Sequence, residues 1–161
     1  MSAAMTVAAQ RADGFAAVAG AAGEDAVVTL RSAGGKPLRF AGALLAEGTS
    51  RWPDAPFWHD IQVFARAGGG YAVGLRFRDT PGRDSGADRA RFFDTLDDAA
   101  GWLEGFDPAA DIHAGFDVSD PRLNGAELTL KAAALRDRTE QLRQCFRALV
   151  GELLFRLETE I

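Results

Sequence analysis

A chain of 161 residues that is 47% hydrophobic and 25% charged has the length and composition of one globular domain, not of a disordered or fibrous protein. Its net charge of -5 repels phosphate and anionic lipid at long range, so nucleic-acid binding would need a local basic patch. The single cysteine, Cys145, cannot form an internal disulfide, and no apolar run reaches the ~18 residues of a membrane span, so the expectation is a cytoplasmic protein without membrane contact.

Residues 1–25 are rich in alanine and interrupted by Gln10, Arg11 and Asp13 without the basic and then apolar order of a secretory leader. They read as an N-terminal arm or short helix ahead of a single α+β domain at 26–161. The run Ala26 to Arg31 is a β-type segment, and Gly34 and Gly35 after it supply the backbone freedom of a hairpin turn. In the next arm Leu38, Phe40, Gly42 and Leu44 share one side, and the chain is expected to loop from Glu47 to Pro56, where two prolines break any period.

The central hairpin has the clearest alternation. From Phe57 to Arg66, His59, Ile61 and Val63 share one face, and Trp58, Asp60, Gln62, Phe64 and Arg66 share the other. A turn at Gly68 to Gly70 leads into a strand with Tyr71, Val73, Leu75 and Phe77 on one side and Arg76 and Arg78 on the other. Asp79 to Arg89 is polar and reads as a loop, with a short strand at Phe92 and Phe93. Thr95 is placed to cap a helix whose first turn holds Asp97 and Asp98 and whose buried stripe is Ala99, Trp102, Leu103 and Phe106.

A helix start at Asp120 and Pro121 introduces the last element, expected over about 122–160. Leu128, Ala132, Leu135, Thr139, Leu142, Phe146, Leu149 and Leu153 recur in alternating steps of four and three, the seam of a helix that packs on another helix. Such a helix is roughly 50 Å long, against a radius of gyration of about 15 Å for a chain of this size. The expected fold is therefore α+β: a largely antiparallel meander of four to five strands, a short helix, and a long C-terminal amphipathic helix that extends to a partner. A break near Gly151 would instead fold the helix wholly onto its own sheet.

Catalytic signals are sparse. His59 and Asp60 are neighbours on a strand and point to opposite faces, so they cannot pair, and neither His113 nor Cys145 has the companions that metal binding or nucleophilic catalysis needs. No cofactor or metal is expected, and no enzyme. Two surfaces remain. Leu128, Leu135, Leu142, Phe146, Leu149 and Leu153 are the candidate interface of a homodimer, or of a complex with another protein. Trp58, Phe64, Arg66, Arg76 and Arg78 are an alternative, nucleic-acid-binding face, because stacking rings interleaved with cations suit single strands. That hairpin lies in the basic part of the chain: residues 36–91 carry nine Lys or Arg and six Asp or Glu.

Overall fold

The computed structural model describes residues 25–79, 83–84 and 87–160, so all but the last residue of the alanine-rich arm lies outside the described residues. Six strands come first: β1 (Ala26–Leu30), β2 (Leu38–Thr49), β3 (Phe57–Arg66), β4 (Tyr71–Asp79), β5 (Arg83–Asp84) and β6 (Arg89–Phe93). The helix α1 (Leu96–Gly105), a 3-10 turn (Pro108–Asp111) and the helix α2 (Gly125–Glu160) follow. Every strand pair is antiparallel; β1 to β4 lie in chain order, and β5 and β6 share the far side of β4. The chain thus forms the α+β fold that its sequence predicts, with an antiparallel sheet ahead of a short and a long helix.

The central hairpin sorts its residues as its alternation requires. His59, Ile61 and Val63 face Phe77, Leu75 and Val73 across the ladder, and Ile61, Val63, Val73 and Leu75 join the core beneath the helices. Gly69 and Gly70 turn the chain with φ of 97° and 78°, a region costly to any residue with a Cβ. Three boundaries differ from the sequence expectation. β2 runs on to Thr49, because the register shifts between Leu44 and Ala46 and brings Ala46 onto the helix side opposite Val63. β6 begins at Arg89 and β4 reaches Asp79, since Arg89 and Ala90 pair with Leu75 and Gly74 although they carry no strand-like alternation of their own.

The sheet is strongly coiled. Phe40 on β2 and Phe92 on β6 are separated by two strands, a span of roughly 14 Å in a flat sheet, yet their ring centroids are 5.7 Å apart. The Ala33 amide also donates to the Asp88 carbonyl at 2.6 Å. The two sides of the sheet therefore close toward each other over a second core of Val28, Leu30, Phe40, Phe64 and Ala72. At Gly42, where β2 bends in this curl, an added Cβ would overlap the Ala65 carbonyl oxygen, so only glycine fits without moving backbone.

Both helices lie on the outer face. Thr95 caps α1 by accepting from the Asp98 amide at 3.1 Å, and Ala99 and Leu103 are its buried residues. The start of α2 is not at Asp120–Pro121: Asp120 accepts from the Arg122 amide in a turn, and Asn124 and Glu127 exchange side-chain to amide hydrogen bonds at 2.8 and 3.0 Å. This reciprocal cap satisfies two orphan amides and sets the first turn at Gly125. From there α2 is continuous for 36 residues, about 54 Å. Gly151 lies inside it, exposed and with open space where a side chain would be, and does not break it.

Gly42→Ala should lower unfolding free energy by about 2 kcal/mol, the usual cost of forcing an extra carbon into a closed space. Urea titration followed by circular dichroism measures it, and an unchanged midpoint would show that the strands separate there freely.

Candidate functional site

The densest chemistry among the described residues sits where β3, β6 and the 3-10 turn meet. Alternation on β3 turns His59 to the helix side. Asp107 caps the 3-10 turn by accepting from the Ala109 amide, and Pro108 presets its first dihedral, which together swing Asp111 back to the sheet. There Asp111 Oδ2 lies 2.8 Å from His59 Nε2, and the Arg89 guanidinium spans both carboxylate oxygens at 2.8 and 2.6 Å. The imidazole is 0% exposed. Rings of Phe77, Phe106 and Phe146 stand 5.1, 5.7 and 5.3 Å from it, and the Arg89 guanidinium lies 4.8 Å from the centroid of Phe106.

Burial opposes ionisation of Asp111 and is the largest single influence on it. Hydrogen bonds from His59 and Arg89, with their charges, outweigh that burial and hold the carboxyl below its ordinary value of 3.8. Among the described residues His59 Nδ1 has no hydrogen-bond partner. A general base must come within hydrogen-bond reach of the proton it takes, and this imidazole is closed off by three rings. The arrangement is a clamp: one carboxylate ties the 3-10 turn to two strands inside a low-dielectric shell, where each bond is strengthened.

Beside the clamp, a cleft of about 370 Å³ opens between the end of α1 and the middle of α2. Leu103, Phe106, Phe146 and Val150 line its apolar part, and Glu104, Asp107, Arg143 and Arg147 line its charged part. Arg143 forms two bonds of 3.1 Å to Asp107, and these, more than the Ala109 amide, keep that carboxyl below its ordinary value. Phe106 and Phe146 belong to the cleft and to the ring cage alike, so the clamp also sets the cleft wall.

The candidate residues read from the sequence are distributed unevenly. Leu142 is fully buried, and Phe146, Leu149 and Leu153 pack into the core with the chain's own sheet and helix α1, so this lower part of the seam is not open to a partner. Leu128 and Leu135 are partly exposed on the upper part. The alternative nucleic-acid face is not a surface: Trp58, Phe64, Arg76 and Arg78 are all buried, because the sheet curls around them. Arg78 pairs with Asp60 and Arg76 with Asp88, each at 3.3 Å, while Arg66 is partly exposed and stacks 4.0 Å over Phe92. His113 is exposed, and Cys145 is partly exposed with the Gln141 amide nitrogen 3.4 Å from its sulfur.

His59 and Asp60 do point apart, but Asp111 as the partner of His59 was missed. The two are 52 positions apart in sequence. The signal available was Asp107-Pro108, a capped turn that places a second aspartate one turn on.

Asp111→Asn should cost about 1–2 kcal/mol, since it removes charge-assisted hydrogen bonds to the buried His59 and to Arg89, whose side chain keeps about a third of its surface in solvent. The sign with pH follows from the lowered carboxyl. Its contribution is complete above the unfolded value near 3.8 and is lost as pH falls through the folded value, so the gap between the two proteins should narrow on acidification. Denaturant titrations from pH 7 to pH 3 test this; a gap that does not change would remove the clamp from the account of stability.

The chain matches no known family model, and comparison with curated proteins and with solved structures finds no match either.

Proposed function

We propose that the protein is a non-enzymatic interaction module that acts as a homodimer through the projecting half of α2. One observation carries this reading: from Ile112 to Gln141 no residue is buried. The segment 112–124 leads out from the 3-10 turn, and the first half of α2 returns toward the sheet over roughly 25 Å. Together they form an arm. It holds Leu128 and Leu135 at heptad spacing, both partly exposed, with Val118 and Leu130 at 77% and 71% exposure.

An arm of this kind has little to hold it straight. A helix of this length is marginal in water unless one face is packed, and the packed face of α2 starts only at Leu142. A second copy covering the Leu128–Leu135 edge supplies the missing contact. The enclosed His59 supports a non-enzymatic role, because no substrate can reach it, and the burial of Trp58, Phe64, Arg76 and Arg78 weighs against the nucleic-acid alternative.

Light scattering coupled to size exclusion should give twice the chain mass of 17.1 kDa. Leu128→Asp with Leu135→Asp should return it to a monomer with an unchanged core, whereas Leu142→Asp would unfold the sheet cover and report nothing about a partner. A wild-type chain that stays monomeric up to high micromolar concentration would sink the proposal.

A further inference from the structure

Self-association leaves open what the arm sits on, and charge decides it. At 100° per residue, Lys131 and Arg138 flank the Leu128–Leu135 edge on one side and Arg136 flanks it on the other. Asp137 and Glu140 lie further round the back, and Glu127, just behind Lys131, is engaged by the Asn124 cap. All three cations are exposed and none is in an ion pair among the described residues. Two such arms laid side by side in parallel would bring Lys131 of one against Arg136 of the other, a repulsion that selects against that pairing.

The complementary surface is on the same chain. From Phe92 to Pro121 there are eight carboxylates and no lysine or arginine. Asp97, Asp98 and Glu104 lie on the exposed side of α1, and none of them is in an ion pair among the described residues. Glu104 also stands at the rim of the cleft of about 370 Å³, whose apolar wall of Leu103, Phe106, Phe146 and Val150 lies beside Arg143 and Arg147 and offers room for leucine side chains. Gly101 adds to the fit. It sits in mid-helix, exposed, with nothing within 4 Å of the place a Cβ would take, and costs about 1 kcal/mol against alanine with no reason inside its own chain.

We propose that the leucine edge of one copy's arm docks into the α1–α2 cleft of a second copy, with Lys131, Arg136 and Arg138 meeting the carboxylates of α1. A two-fold axis makes the contact twice, each arm lying on the other copy's cleft. The proposal rests on the homodimer reading above and specifies its geometry.

A pair of charge-reversed chains tests it. One carries Lys131→Glu and Arg138→Glu; the other carries Asp97→Lys and Glu104→Lys. All four positions are exposed, so each chain should keep the wild-type circular dichroism spectrum. Each alone should dimerise at least about a hundredfold more weakly than the wild type, as like charges then face each other in both contacts. Mixed in equal amounts, the two should restore a dimer, because both contacts of the mixed pair again join opposite charges. If the α1-reversed chain alone dimerises as well as the wild type, the cleft is not the docking surface, though self-association through the arm would stand. Failure of the mixture to form a dimer also overturns the docking, and a monomeric wild-type chain removes both proposals.

Discussion

The mismatch in length between α2 and the sheet it covers governs the rest of this molecule. A sheet a few strands wide accepts four or five turns of helix, and burial on α2 accordingly begins at Leu142 and ends at Leu157. The helix is 36 residues long and has no proline or break to stop it. The turns before Leu142 therefore stand clear of the sheet by geometry alone. Their apolar edge, the cations beside it and the open connecting segment are consequences of that excess length.

A helix anchored at only one end needs a firm anchor. Gly48 provides part of it, because the absence of a side chain there lets Leu149 press onto β2; a Cβ would come within 2.5 Å of the leucine's Cδ1. The clamp supplies more. Phe146 touches His59 from α2, Phe106 touches it from the end of α1, and Asp111 holds the imidazole from the 3-10 turn. A buried histidine that binds one carboxylate and three rings joins its own strand to four other elements at a point, and the cleft next to it keeps its shape for the same reason.

The distribution of charge follows from the coil of the sheet. Arg76 and Arg78 would give the hairpin a basic face if the sheet were flat. Closing the sheet carries them inside, where ion pairs with Asp88 and Asp60 are required to offset the loss of water. Of the nine cations in residues 36–91, Arg76 and Arg78 are thus buried, while Lys36, Arg39, Arg51 and Arg91 stay exposed. The surface presents the remaining strand cations, the acidity of α1 and the separate cations of the arm.

The order of elements, the face assignment of the central hairpin and the length of α2 were legible from the sequence, because each depends on local period: two for Tyr71 to Phe77, and steps of three and four from Leu128 to Leu153. The Thr95 cap was legible for the same reason, being a contact between near neighbours. What tertiary structure alone decided was closure. A period of two says that Trp58, Phe64, Arg76 and Arg78 share a side but not whether the sheet curls over that side, since curl comes from twist summed over many strands and from a single bulge at Leu45. A heptad seam likewise says that Leu128 and Leu153 share an edge but not where along it the sheet stops. The pairing of His59 with Asp111 depends on bringing distant segments together, and no local pattern encodes such a distance.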